Sequence, residues 1–326
     1  MAVFTPVSKA DAQELLLRYN LGELVALEGI SAGIENTNYF LDTTQGHYVL
    51  TLFEVLTLEQ LPFYIELMHH LANEGLPVPS PQRLNNQQLI TTLHNKPCVI
   101  VSRLQGRSVE SVQPNHCVLS AQVLASIHLS GLNYKQYQPN LRGLDWWKRT
   151  IPQVHSFLDT KQSQLIEQSL EEQIKTSQLP AYQQLPSGPS HCDLFRDNVL
   201  FSGTNSHPTM GGVIDFYFAG CDHWLFDVAV TVNDWCIDHS NGEFDQSLLR
   251  AWVQAYHAKR PFTDTENQLW PVMLRAAALR FWVSRLYDYH LPREAETLIP
   301  HDPGHFEMIL DLRSTENQPS LFSYLE

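Results

Sequence analysis

Between Leu21 and Glu54 short apolar runs alternate with polar turns: LGELVALEGIS, then TNYFLDTTQ, then HYVLTLFE. β-Branched and aromatic residues flank the Thr43–Gly46 connection, which predicts a strand–turn–strand series. The period then lengthens. Leu61, Ile65, Met68 and Leu71 recur at helical spacing, predicting a helix from about Leu58 to Glu74 with Gly75 as its stop. The prolines of LPVPSP hold the next segment extended, and QQLITTLH and KPCVIVSRL read as two further strands. Beyond Gly106 the character changes. VLSAQVLASIHLSG is an amphipathic helix with Ser120 as a candidate cap. The stretch 151–178 reads as helical, its apolar face carried by Ile151, Val154, Phe157, Leu158, Leu165 and Ile166. A short PSGPS linker precedes a motif-rich region at 191–235, and helices continue to about residue 290. The pattern predicts an α+β chain: a small, antiparallel, strand-rich lobe over 1–105 and a larger, mainly helical lobe over 106–326.

Composition adds exclusions. The 326 residues carry 21 Lys and Arg against 35 Asp and Glu, a formal net charge of −14, so a general nucleic-acid binder is not expected. A nucleotide is still admissible, because screening over ~8 Å lets local charge outweigh the total. The first residues lack a basic stretch followed by an apolar run, and no segment approaches the ~18 apolar residues of a membrane span. A cytoplasmic protein with no membrane partner is expected. Five cysteines without CxxC spacing sit in apolar company and read as core thiols.

The chemistry concentrates in HCDLFRDNVLF (191–201) and GGVIDFYFAG (211–220). Val213 and Ile214 form the second strand of a short hairpin whose end projects Asp215, so two strand-connected loops bring Asp193, Asn198 and Asp215 around one point. Phosphoryl transfer needs such a set: one carboxylate to orient the attacking hydroxyl and accept its proton, and an amide and a second carboxylate to hold Mg²⁺ on the nucleotide. Any one of these residues alone reads as polar decoration of a hairpin. The ordered HxDxxxxN followed by an apolar run into Asp-Phe is the more specific signal.

These motifs, together with GIENTNYFL (33–41), YVLTLFE (48–54), LPFYIELMHHLANEGLPVP (61–79), GVIDFYFAGCDHWLFDVAVTVNDWC (212–236), LRFWVSRLYDY (279–289) and HDPGHF (301–306), resemble the aminoglycoside phosphotransferase and choline kinase superfamily. Within it, they are similar to the homoserine kinase family. The resemblance implies a two-lobed protein-kinase-like fold. It also implies ATP and Mg²⁺ as cofactors and L-homoserine as the small-molecule acceptor, phosphorylated on the way to threonine, with no obligate protein partner. Asp193 would then be the base, and Asn198 and Asp215 the Mg²⁺ ligands. His191 would hold the loop, and Asp227 would buttress it from a following helix; the alternative for Asp227 is an ordinary acid at a helix N-terminus. The nucleotide contacts would include Ser31, Asn36, Thr37, Asn38, Thr51, Glu66, Ser102 and Leu104.

Two departures stand out. GxGxxG is missing; EGISAGIENTNYF offers Ser31, Asn36, Thr37 and Asn38 as phosphate donors, or is an ordinary polar turn. Thr51 stands where kinases carry their phosphate lysine, and of the first 105 residues only Lys9 and Lys96 are lysines. Glu66 remains a candidate for the helix acid that would have paired with it. For the acceptor, an Arg fork suits a carboxylate. Arg275, Arg280 and Arg285 lie at five-residue spacing with Asp288 close behind, and Asp234 and Asp238 are candidates for an ammonium. Arg280, Arg285, Asp234 and Asp288 are the candidate set, with helix-surface ion pairs as the alternative. The rivals are a kinase of choline, ethanolamine, an amino sugar or a methylthio-sugar, and a silent nucleotide-binding protein. HDPGH reads as a docking segment.

Overall fold

The structure, a computed structural model, describes residues 5–30, 36–292, 301–315 and 318–325. The chain divides into two compact units, one ending at Gln105 and the other beginning at Gly106.

The first unit opens with α1 (Lys9–Leu16), started by a capping box between Ser8 and Asp11. Strands β1 (Leu24–Gly29), β2 (Asn36–Thr43) and β3 (Gly46–Phe53) follow, then α2 (Leu61–Asn73), β4 (Thr91–Leu93) and β5 (Lys96–Ser102). Helix α2 starts at Leu61, with Pro62 in its first turn. The five strands form one antiparallel sheet in the order β1-β2-β3-β5-β4. Every second residue of β2 is buried: Thr37, Tyr39, Leu41 and Thr43. Tyr39 and Leu41, with Leu50, Leu52, Cys98 and Ile100 of the neighbouring strands, form one core with Ala12, Leu15 and Leu16 of α1. Strand alternation sends Asn38, Thr51 and Val99 to the opposite face.

The second unit begins at Gly106, whose positive φ of 115° and close approach to the Phe201 backbone exclude a side chain. Its helices and strands in order are α3 (Pro114–Gly131), α4 (Leu144–Val154), α5 (Thr160–Ser177), α6 (Pro180–Gln183), β6 (Ser187–Ser190), β7 (Val199–Thr204), β8 (His207–Val213), β9 (Gly220–His223), α7 (Trp224–Trp235), α8 (Gln246–Lys259), α9 (Asp264–His290) and α10 (Gly304–Thr315). Helix α7 is its centre: every residue from Trp224 to Trp235 is buried, and α3, α8 and α9 pack around it. Strands β6 and β9 pair, as do β7 and β8. Three expectations are corrected. The PSGPS segment is not a linker; its last four residues are strand β6. Ser120 is not a cap; the helix starts earlier, with Pro114 in its first turn, and the Ser120 hydroxyl donates to Cys117 O. The stretch 151–178 is two helices: α4 contains Pro152 and ends in a 3-10 turn, and Asp159 caps a new helix, leaving Phe157 exposed. The five cysteines are free thiols, and all but the half-buried Cys221 are buried.

Candidate active site

Strand β6 runs into His191, and its partner β9 runs directly into α7. That connection sets Asp227 under the start of the HCDLFRDN loop. The Asp227 carboxylate, fully buried, accepts the main-chain N–H of His191 at 2.7 Å and of Cys192 at 2.8 Å. It also accepts the imidazole Nε2–H of His128, from α3, at 3.0 Å. Burial works to raise this carboxyl, yet the hydrogen bond from His128, with the His191 contacts, holds it below the usual carboxylate range. An anion therefore sits under two loop amides. Cys192 takes the left-handed conformation, φ 63°, that a side chain normally avoids, and those two bonds hold it there.

The His191 ring is fully buried and donates from Nε2 to the Ile214 carbonyl at 2.9 Å, while Nδ1 has no hydrogen-bond partner. Burial lowers its basicity, so the ring is neutral. This ties the loop to the end of the β7–β8 hairpin.

Asp193 follows, partly exposed. Its main-chain oxygen accepts from Phe195 N at 2.8 Å and from Asn198 Nδ2 at 2.8 Å, and its Oδ2 lies 3.4 Å from the same amide nitrogen. Residues Arg196–Asn198 form a 3-10 turn. Val199 pairs with Val213 across the hairpin, and Ile214 N donates to Asn198 O at 2.9 Å, which brings the next residue, Asp215, beside Asn198. Asp215 is exposed and left-handed, with φ 62° and ψ 64°, a conformation Asp tolerates better than most residues. Asp193, Asn198 and Asp215 thus come together. Because the Asn198 nitrogen is committed to Asp193, the amide oxygen is what that side chain offers a cation. An amide oxygen and a carboxylate form an all-oxygen donor pair suited to a hard ion that keeps some of its water. Among the described residues no group of three or more His, Cys, Asp or Glu could hold a metal.

Helix α7 grips the loop further along. Trp235 Nε1 donates to Leu194 O at 2.9 Å, and Asp234 Oδ2 accepts from Arg196 N at 2.8 Å and Arg196 Nε at 3.1 Å. The three arginines of α9 diverge, as ~100° of rotation per residue dictates. Arg275 makes a double hydrogen bond to Glu172, 2.6 Å each, so the ion-pair alternative holds for it. Arg280 is buried with its guanidinium 3.9 Å from the Phe281 ring centre. Arg285 lies 4.6 Å over Phe306 and donates to Asp302 O at 3.2 Å. Burial disfavours the Arg285 charge, while nearby carboxylates, Asp234 first, act on it in the opposite sense. Asp288 is half-buried further along the helix. The HDPGHF segment docks here: His305 stacks on His239, and Phe306 on Phe195 and Phe281.

In the first unit Thr51 is buried and donates to Asn38 Oδ1 at 2.7 Å, and Asn38 Nδ2 reaches Asn36 O at 3.4 Å. Thr37 lies on the other face of β2, where it accepts from Thr5 N and donates to Glu54 at 2.6 Å. The structure therefore separates Thr37 from Asn36 and Asn38. Lys96 pairs with Glu54 on the Thr37 side, so it does not stand in for the lysine missing at Thr51. Glu66 is half-exposed on α2. Ser102 is engaged with Ser80 through both backbone and hydroxyl, and Leu104 is half-buried. Ser31 lies outside the described residues.

The sequence did not point to His128. It lies on the apolar side of α3, where it reads as one more core residue, and only its contact with Asp227 reveals its part. Its Nδ1 meets the Tyr256 hydroxyl at 2.6 Å, and its ring stacks on Trp224.

The chain is a phosphotransferase by family. Residues 26–262 match the family model described as "Phosphotransferase enzyme family". The chain belongs to that family, on the branch of curated proteins named homoserine kinase. It is 52% identical to the one from Burkholderia ambifaria over 325 residues, covering 98% of each chain. It is also 52% identical to the one from Janthinobacterium sp., covering 99% of each. The fold is shared with more distant kinases of known structure. An amicoumacin kinase solved with AMP-PNP, Ca²⁺ and Ami superposes with a TM-score of 0.69 at 14% identity, over 95% of this chain and 92% of that one. A spectinomycin phosphotransferase solved with ADP and spectinomycin gives 0.67 at 13% identity, over 98% of both. Among the described residues no helix is long and apolar enough to cross a membrane.

Proposed function

We propose that this enzyme transfers the γ-phosphoryl group of ATP to the hydroxyl of L-homoserine, giving O-phospho-L-homoserine by direct in-line displacement. The observation that carries the reading is the identity of about half of all positions, end to end, with homoserine kinases. The Asp193–Asn198–Asp215 loop supports it. Asp193 orients the acceptor hydroxyl and takes its proton as the new P–O bond forms. Asn198 and Asp215 hold Mg²⁺, which when bound neutralises charge on the nucleotide phosphates. Residues 1–105 carry the nucleotide and 106–326 the catalytic and acceptor groups. With Thr51 in place of a lysine, Asn38, Thr51 and backbone N–H groups take a larger share of phosphate binding, assisted by the metal. Arg285, a guanidinium set over Phe306 on the segment that stacks against Phe195 of the loop, suits the acceptor carboxylate. Arg280, packed on Phe281, supports that wall.

The test is ADP release by the purified protein with homoserine, choline, ethanolamine and an aminoglycoside. Turnover on homoserine alone is the expected result. Turnover on choline in its place sinks the substrate assignment, and ATP binding without turnover on any acceptor marks a silent protein.

A further inference from the structure

Helix α7 bonds to the loop in sequence: Asp227 to the amides of His191 and Cys192, Trp235 to Leu194 O, and Asp234 to the amide of Arg196. Asp227 and Asp234 are seven residues apart, nearly two helical turns, so they lie on one face with ~10 Å between them. The loop runs along that face. We infer that Asp234 is a positioning residue for Asn198, fixing the turn that presents the metal-binding amide, and is not the partner of the acceptor's ammonium group. The inference rests on the proposed role of Asn198.

Four observations carry it. The Arg196 amide opens the Arg196–Asn198 turn, and the first N–H of such a turn has no partner within it. Asp234 supplies that partner from a distant helix at 2.8 Å. The Arg196 side chain then folds back so that Nε reaches the same Oδ2 at 3.1 Å, and one oxygen receives a neutral and a cationic donor from one residue. The carboxylate is also nearly enclosed: its side chain is 11% exposed and that of Arg196 26%. Finally, His239 Nε2 donates to the Asp234 main-chain oxygen at 3.0 Å, fixing the end of α7 on which the carboxylate sits. The Asp234 charge is thus already matched by Arg196 and not held open for an ammonium group.

The test compares Asp234→Asn and Arg196→Gln with the unaltered protein in two measurements: hydrogen exchange of the 191–198 amides without nucleotide, and steady-state kinetics with homoserine as Mg²⁺ is varied. A positioning role predicts faster exchange of the Arg196–Asn198 amides in Asp234→Asn. It also predicts a kcat about 10- to 100-fold lower, a higher Mg²⁺ concentration at half-maximal rate and an unchanged homoserine KM. Arg196→Gln, which keeps the amide, shows the same changes in milder form. A rise in homoserine KM alone, with exchange and Mg²⁺ dependence unmoved, overturns the inference, as does a tighter KM in Arg196→Gln, where Asp234 is released. If the unaltered protein does not turn over homoserine, the functional reading fails. The exchange measurement then still decides whether Asp234 holds the turn, and unchanged exchange overturns that as well.

Discussion

The main-chain oxygen of Asp193 accepts the side-chain amide of Asn198 at 2.8 Å. Through this bond the proposed base and the proposed metal ligand share one rigid turn, and a shift of either moves the other. The turn is held from beneath by Asp227 and Asp234 and from the side by the Ile214–Asn198 contact. Rigid placement of this kind matters more than binding strength when the reacting atoms must line up for in-line transfer.

Asp193→Asn removes the proposed proton acceptor while leaving the main-chain oxygen that orders Asn198. The expected outcome is a kcat reduced about 10²- to 10⁴-fold with the Kd for MgATP nearly unchanged. Single-turnover kinetics and calorimetric nucleotide titration check the two halves separately.

Asp227→Ala strips the charge from beneath two loop amides and His128 at once. Two buried loop amides and the His128 ring lose their acceptor, at about 1–3 kcal/mol for each buried group left unpaired, so a Tm well below that of the unaltered protein is expected together with loss of activity. Asp227→Asn, which can still accept one amide bond, is expected to lie between the two. Differential scanning calorimetry orders the three.

Acid should loosen the same region. Burial depresses the His128 imidazole despite its bond to Asp227, and burial likewise depresses His191, so both rings are neutral in the fold and bind protons more readily when unfolded. Stability from these groups is complete above the ordinary histidine value of 6.5 and falls as pH drops through their lower folded values. Asp227, depressed in turn, adds a loss only below its ordinary value of 3.8. Urea midpoints measured between pH 7.5 and 5 should therefore decline steadily. His128→Gln should be less stable at neutral pH and show a shallower decline.

Thr51→Val keeps the shape of a buried strand residue and removes the hydroxyl bonded to Asn38. A stability loss of about 1 kcal/mol is expected. If Asn38 and Thr51 share the phosphate contacts, KM for ATP rises several-fold while KM for homoserine stays fixed. Urea denaturation and paired KM measurements read the two effects.

The sequence made the strands and the loop geometry legible because both depend on short spacing. The alternation over 36–53 matches the β2–β3 hairpin, and the run from Asn198 to Asp215 closes into the β7–β8 hairpin that brings those two residues together. What could not be read depends on distant partners. His128 and Asp227 are 99 positions apart, and nothing local in either helix marks their contact. Asp234 looked available for an ammonium because its partner, Arg196, lies 38 positions away on a loop whose path only the fold defines. Thr37 looked like a neighbour of Asn38 in function because it is one in sequence; strand alternation puts the two on opposite faces. The 151–178 stretch misled for a local reason, since its apolar spacing survives a break that Pro152 and the Asp159 cap impose.

The most direct test of the central claim is a coupled ADP-release assay with L-homoserine as acceptor, with the product identified by ³¹P NMR. The account predicts Mg²⁺-dependent formation of O-phospho-L-homoserine that Asp193→Asn slows about 10²- to 10⁴-fold. Equal activity in Asp193→Asn, or ADP release with no phosphate ester of homoserine formed, would contradict it.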